Sequence, residues 1–420
     1  MHSVALLYTA LLLVFWLLNA LAPIAHIALP AWLLVWAFVA AVCFWEFIRS
    51  AYRKAIPMNR QLVTLMLFFF LLLTWRLLQT VWSLDLMTTI LEMVKTAILG
   101  IFVVAAYIGL SYMDRADLER LAATVITVVL FISGGAYIFI LANRVGDFSF
   151  FGLQEAKRHI LLFGGANAAG AMIFLFGAWN WFLVLCGNQR LRNLGFLNLA
   201  IALIMIFGIA SRSAVGGFLF AGVMILIGFL WRKRRQPLVS LLLVGLLGCA
   251  IFGLIFFTPV IIEADTNEVP RTFYQRMDMW SLAWEVLSDR YWLFGAGTGT
   301  NAGLAFFTFE GIGLRGGVHN ALMQTWLEEG IPGLILYVWL FVWLVRTGLS
   351  ASSVSGIALV AVASGIFFRN LGESNGLLWG LVNNYLVFVS WFVIIHLLIY
   401  CKKKKYAKNK TNLKQWEAAA

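Results

Sequence analysis

Long apolar runs alternate with short polar breaks along the chain, and the runs have the length that a bilayer demands. A helix needs about 20 mostly apolar residues to cross the hydrocarbon layer. Runs of that size fall at 4–22, 27–48, 61–82, 89–112, 121–142, 160–186, 194–210, 213–231, 237–257, 331–346, 353–371 and 378–400. The pattern predicts an all-α integral membrane protein of twelve transmembrane helices. Nine spans lie in 1–257, an extramembrane loop in 258–330, three more spans in 331–400 and a basic tail in 401–420. The first span lacks a basic leading segment and a small-residue cleavage site, so it reads as a retained helix rather than a secretory signal.

Composition removes the alternatives. With 62% hydrophobic and 12% charged residues over 420 positions, the chain lies far from ordinary soluble domains. A net charge of +12 would point a soluble protein toward a polyanion, but its placement tells otherwise. Basic clusters at Arg49 to Arg60, Arg232 to Arg235 and Lys402 to Lys414 share one side of the twelve-span arrangement. With Arg115, Arg120, Arg190, Arg192 and Arg346 they make 20 of the 31 basic residues, so this side is cytoplasmic and holds both termini. The lysine tail then anchors topology against anionic membrane lipids, and no nucleic-acid partner is implied. Cys43, Cys186, Cys249 and Cys401 sit in apolar runs or at their edges, which predicts neither a disulfide nor a cysteine metal site.

The outer loop over 258–330 is the one extramembrane segment large enough to build a site. Within it, Thr272 to Asp289 has helical periodicity, with Phe273, Met277, Trp280, Trp284 and Leu287 on one side, as suits a helix lying on the membrane interface. The run Gly295-Ala-Gly297-Thr-Gly299 has neither nucleotide-binding spacing, and reads as a flexible loop whose amides are able to cradle a phosphate.

The basic residues off the cytoplasmic side are Arg76, Lys95, Arg144, Lys157, Arg158, Arg212, Arg271, Arg276, Arg290, Arg315 and Arg369, nine arginines against two lysines. The guanidinium fork fits phosphate oxygens bidentately, so this bias implies an anionic ligand at the outer leaflet. Pairing with Asp278, Asp289 and Glu310 or with lipid headgroups is the plainer account of any one of them. Arg212, in the turn Ser211-Arg212-Ser213 between two spans, stands at the membrane boundary, where a snorkelling end-cap is the alternative. Arg276 precedes Trp280 by one turn on the interfacial helix, where an ordinary surface charge is the alternative.

His2, His26, His159 and His396 lie near span ends without polar company and read as structural. His319 differs, because it stands in Arg315-Gly-Gly-Val-His319-Asn320, just before a helix that holds Glu328, Glu329 and the turn Gly330-Ile-Pro-Gly333. An imidazole there suits a general base for a hydroxyl nucleophile, worth ~10²–10⁴ in rate, and a hydrogen-bonded structural histidine is the alternative. No outer segment offers ligands at metal spacing, so metal-independent chemistry without a cofactor is expected. Glu92 and Lys95, in the fourth span, suit either a transporter's midplane charges or a local i, i+3 ion pair.

These residues resemble the bacterial O-antigen ligase and O-antigen polymerase superfamily, the ligase (WaaL type) most closely. The ligase pattern is His then Asn, Ser or Gln, nine residues, then Gly-x-x-Gly, Thr or Tyr. It is met by His319-Asn320, Ala321 to Glu329, and Gly330-Ile-Pro-Gly333. The turn at Ser211-Arg212, Arg276-x-x-x-Trp280 running into Leu293-Phe-Gly295-Ala-Gly297, Trp82-Ser83-x-Asp85 and Asn167 follow the family's other landmarks in order. The resemblance implies a GT-C-like transmembrane bundle in the bacterial inner membrane, with one large periplasmic loop between spans 9 and 10. It implies metal-independent, inverting transfer of a glycan from undecaprenyl pyrophosphate to a sugar hydroxyl of lipid A-core. By position, His319 would be the catalytic base and Arg212 and Arg276 would hold the donor pyrophosphate. Placement alone adds Arg271, Arg315 and Arg76 as second-rank anion-binding residues.

The related polymerase uses the same donor with another lipid-linked repeat as acceptor. A protein O-oligosaccharyltransferase of the same superfamily usually carries a longer C-terminal domain than the segment after residue 400 here. A flippase or transporter would show two related halves, whereas the polar chemistry here gathers in one asymmetric loop.

Overall fold

The computed structural model describes residues 60–111, 115–140, 188–209, 212–232, 273–299, 320–350 and 354–372, with isolated positions such as Val318 and several between 170 and 184. All regular structure among the described residues is helical. In chain order the helices are α1 (Arg60–Gln79), α2 (Leu86–Ser111), α3 (Arg115–Ile140), α4 (Gln189–Ile209), α5 (Arg212–Arg232), α6 (Phe273–Val286), α7 (Ala321–Ser350) and α8 (Val354–Asn370).

Helix α1 is apolar on both sides. Its buried stripe runs Leu62, Leu65, Phe69, Leu72, Arg76 and Gln79, alternating three- and four-residue steps so that one side faces the protein. The opposite side carries Val63, Leu67, Phe70 and Leu77, all exposed. An outer face this apolar would be unfavourable in water, and the polar Arg76 and Gln79 point inward, as polar side chains of membrane helices do. Helix α7 repeats the scheme, with Tyr337, Leu340 and Leu344 buried and Ile335, Val338 and Val342 exposed. Both α1 and α7 are long and apolar enough to cross a membrane, and α5 and α8 contain the shorter apolar stretches Ser213–Gly228 and Gly356–Asn370.

Helix α7 sits at the centre of the packing, touching α8, α1 and α6, while α1 pairs with α2 and α3 with α4. The α5–α8 contact is made close by glycine. A Cβ on Gly217 would come within 2.8 Å of the Gly365 carbonyl, and a Cβ on Gly365 within 2.6 Å of the Gly217 carbonyl. Further along, Gly228 meets Ile357, so the two helices run antiparallel. Small residues allow this approach, and dispersion between closely set backbones then holds the pair where lipid supplies no hydrophobic drive. The α5 start, where Arg212 stands, therefore lies toward the α8 end carrying Arg369 and Asn370. There the Asn370 amide donates to the buried Tyr337 hydroxyl of α7 at 2.8 Å.

The runs predicted at 61–82, 89–112, 121–142, 194–210, 213–231 and 353–371 all fall on these helices. Those at 4–22, 237–257 and 378–400, that at 27–48 apart from Trp45, and all four cysteines lie outside the described residues, and that at 160–186 is described only at isolated helical positions between 170 and 184. The run predicted at 331–346 is the later part of α7, which begins at Ala321. Glu92 and Lys95 form the local pair, Nζ to Oε1 at 2.5 Å.

Candidate functional site

The site is organised by a break in α7. At Gly330 the backbone turns to φ 67° and ψ −165°, a region that side chains beyond glycine rarely enter. Two residues on, Pro332 has no N–H. The carbonyls of the preceding turn thus lose their usual partners and take new ones from elsewhere in the chain. Leu327 O accepts the Ala296 N–H at 2.8 Å, and Glu328 O accepts the Gly297 N–H at 3.0 Å. Glu328 O also accepts the Gln79 side-chain amide at 2.8 Å, and Glu329 O accepts the Trp75 indole N–H at 2.8 Å. Ile331 N–H, displaced from its helical register, donates to Leu293 O at 3.1 Å. Gly333 is needed too, since a Cβ there would fall 2.1 Å from that of Glu329.

The Gly295 to Gly299 segment is consequently a locked turn, which corrects the expectation of a flexible loop with amides for phosphate. The N–H groups of Gly295, Ala296, Gly297 and Gly299 all donate within the protein, that of Gly299 to Glu328 Oε2 at 3.1 Å. All three glycines have positive φ. A Cβ at Gly295 would strike the Glu328 carbonyl and one at Gly297 the Ser83 hydroxyl.

Beneath the turn lies a buried polar cluster drawn from α1, α2 and α7. Arg76 Nη2 meets Glu329 Oε1 at 2.5 Å, and Nη1 donates to the Thr96 hydroxyl. Thr298 donates to Gln79 Oε1 at 2.5 Å and its carbonyl accepts the Thr89 hydroxyl at 3.0 Å. Around it, Trp75, Trp82 and Phe294 form an aromatic group with centroids 5.6–6.3 Å apart. Asp85 caps α2, its Oδ1 accepting the Thr88 N–H at 3.0 Å and its Oδ2 the Thr88 hydroxyl at 2.6 Å.

The same helix start defines both neighbours of position 319. Asn320 is the N-cap of α7: its Oδ1 accepts the N–H groups of Leu322 and Met323 at 3.0 and 3.2 Å. Val318 is fully buried among Ala283, Leu287 and Leu327. Its carbonyl accepts the Trp280 indole N–H at 2.9 Å, and its N–H donates to Gln324 Oε1 at 3.1 Å. Gln324 in turn donates through Nε2 to Glu328 Oε1.

Helix α6 bears out the expected helix, and its described apolar side chains divide between core and surface. Ala283 and Leu287 are buried and Trp280 is half-buried, whereas Trp284 is exposed and stands edge-on to Trp326 at 5.5 Å. The inward stripe runs Trp280, Ala283 and Leu287, at three- and four-residue steps, which sets Trp284 to its side, and a π-turn over Leu287–Tyr291 follows the helix.

Of the residues singled out from sequence, Arg212 opens α5 and Arg276 lies on α6. Their side chains, and His319, Arg271, Arg315 and Asn167, lie outside the described residues. Arg76 is described, 1% exposed, with its guanidinium on Glu329. Sequence reasoning missed Gln79, Thr298, Gln324 and Glu328 as a connected set. A signal existed in Arg76 and Gln79, one turn apart on an otherwise apolar run, and in Gln324 and Glu328 at i, i+4.

Taken together, the described residues form an all-helical structure with apolar outer faces, glycine-packed helices, two helices long and apolar enough to cross a membrane, and a rigidly framed motif where α7 begins. A family model described as O-antigen ligase matches residues 197–338, a stretch that contains Arg212, Arg276 and the motif from His319 to Gly333. The chain thus carries a domain of the O-antigen ligase/polymerase superfamily, whose members are membrane-associated, glycosyltransferase-like enzymes. No curated protein matches the chain.

Proposed function

We propose that the protein is an O-antigen ligase, transferring a glycan from undecaprenyl pyrophosphate to a sugar hydroxyl of lipid A-core at the periplasmic face of the inner membrane. The observation that carries this reading is the framing of position 319: one neighbour is clamped at both its N–H and its carbonyl, and the other caps α7. General-base catalysis requires a group held within hydrogen-bond reach of the proton it removes, and a fixed backbone on both sides supports that for His319.

In the proposed step the acceptor hydroxyl gives its proton to a His319 ring nitrogen as its oxygen bonds to the anomeric carbon. The bond from that carbon to the pyrophosphate oxygen breaks, its electron pair leaving with the oxygen, and configuration inverts. Arg212 and Arg276 hold the charge that develops on the departing pyrophosphate, the role that a metal plays in other glycosyl transfers. Arg271 and Arg315 are second-rank contacts for the same anion. For Arg76, the buried bond to Glu329 favours support of the α7 break over direct contact with the donor.

The test is the lipopolysaccharide banding pattern of cells that lack the gene, complemented by wild type or by His319→Ala. A bare core, with polymer accumulating on the undecaprenyl carrier and no rescue by His319→Ala, is the expected result. Rescue by His319→Ala removes the proposed base. A core carrying a single repeat unit reassigns the acceptor and makes the protein the polymerase.

A further inference from the structure

A continuous line of side-chain hydrogen bonds joins the glycine turn to the residue beside His319. Gly299 N–H donates to Glu328 Oε2, Gln324 Nε2 donates to Glu328 Oε1, and Val318 N–H donates to Gln324 Oε1. Glu328 and Gln324 are 3% exposed, and Val318 and Thr298 are buried beside them, so water is poorly placed to replace a lost partner. The donor and acceptor inventory fixes the direction of every bond. A carboxylate only accepts, so Gln324 must turn its NH₂ toward Glu328, which leaves its carbonyl oxygen facing Val318 N–H. Glu328 thereby orients an amide that it shares with the backbone next to the proposed base.

We propose that Glu328 and Gln324 are positioning residues for His319, a relay in which the Glu328 carboxylate sets the Gln324 amide and that amide sets the backbone at Val318. The inference rests on the ligase reading for what His319 does, and on the geometry alone for how position 319 is held. Neither residue touches substrate in this scheme. Arg76 and Glu329 stay outside the relay, since their bonds run to Thr96, the Glu92 carbonyl, Trp75 and each other.

The relay has a polarity, and polarity can be exchanged. In Glu328→Gln one of the three bonds must become donor against donor, whichever way the two amides turn. In Gln324→Glu two carboxylates face each other. In the double variant Gln324→Glu/Glu328→Gln every bond is restored. The amide introduced at position 328 accepts Gly299 N–H and donates to the carboxylate introduced at position 324, which also accepts Val318 N–H. Side-chain volume barely changes throughout, so a merely space-filling role predicts no such recovery.

The experiment uses the full-length protein in nanodiscs with a lipid-pyrophosphate glycan and lipid A-core. Each single variant should lose ~10²-fold in kcat, as expected for a displaced catalytic group, with donor KM little changed, and the double variant should regain most of the loss. A second readout needs no substrate: the rate at which diethyl pyrocarbonate labels His319, followed by peptide mass spectrometry, should change in the singles and return in the double. Wild-type kcat in Glu328→Gln overturns the relay, and so does a double variant no better than the worse single. If the singles do not fold, the double decides alone, because a misfolded or inactive double also overturns it. Wild-type protein without transfer activity, but with the labelling pattern intact, would remove the ligase reading and leave the relay standing.

Discussion

The guanidinium of Arg76 and the carboxylate of Glu329, 253 positions apart in the chain, meet at 2.5 Å with both side chains 2% exposed. The pair fastens the inner stripe of α1 to α7 at the residue just before its break. Isolated in an apolar interior, either charge would cost several kcal/mol, so each is tolerable only with the other.

Removing one partner should therefore damage the fold more than removing both. Arg76→Met or Glu329→Gln alone is expected to lose about 3–5 kcal/mol of stability, whereas Arg76→Met/Glu329→Leu should recover much of that. Thr96 keeps its bond to the Glu92 carbonyl in either case. Thermal unfolding of the purified variants in detergent gives the comparison, and a double variant no more stable than either single would contradict the pairing.

Gly330→Ala should cost more than the ordinary change from glycine to alanine. The position combines a φ of 67° with a Cβ that would fall 2.3 Å from the Leu293 carbonyl, so about 1–3 kcal/mol of backbone strain is added to a clash. Gly135→Ala is the control, because nothing lies within 4 Å of its Cβ and alanine in a helix interior gains up to about 1 kcal/mol. Melting temperatures should move in opposite directions.

Asn320→Ala should weaken the start of α7 by about 0.5–2 kcal/mol, the usual worth of an N-cap, while Asn320→Asp or Asn320→Ser keeps an acceptor oxygen in place. Because this cap sits beside His319, glycan transfer should fall with Asn320→Ala and largely survive in Asn320→Ser. Parallel melting and transfer assays separate the two effects.

Asp85 carries a pH dependence of definite sign. The hydrogen bonds from the Thr88 side chain and backbone hold its carboxyl below the usual value of 3.8. A depressed folded-state pKa stabilises above the unfolded value, and that contribution fades as pH falls through the lower folded value. Hydrogen exchange at the Thr88 amide should therefore show constant protection from neutral pH down to about 5, with the loss confined to more acid solution. Asp85→Asn should abolish the acid-side change, since an amide oxygen accepts without titrating. A loss centred near neutrality would remove Asp85 as its cause.

Much of the fold was legible in the sequence because a bilayer imposes a simple rule on a chain. Each span must be long, apolar and internally hydrogen-bonded, so runs such as 61–82 and 213–231 disclose helices without any tertiary knowledge. The motif from His319 to Gly333 was legible for a related reason. Asn320, Gly330, Pro332 and Gly333 act locally, through capping, positive φ, a missing N–H and a missing Cβ, and such demands are written at fixed spacing.

The tertiary structure alone decided where the polar groups of this motif go. Breaking α7 frees carbonyls at Leu327, Glu328 and Glu329, but no local rule says that Ala296, Gly297, Gln79 and Trp75 will supply their donors. The glycine run looked open to a phosphate because glycine reports only that the backbone needs room, not what occupies it. Likewise Arg76 reads from sequence as a cation near the outer face, and only the approach of α1 to α7 turns it into the counterion of Glu329. Apolar periodicity is a property of one helix, whereas hydrogen-bond satisfaction is a property of whichever segments meet, and it is settled when buried donors and acceptors far apart in the chain can no longer reach water.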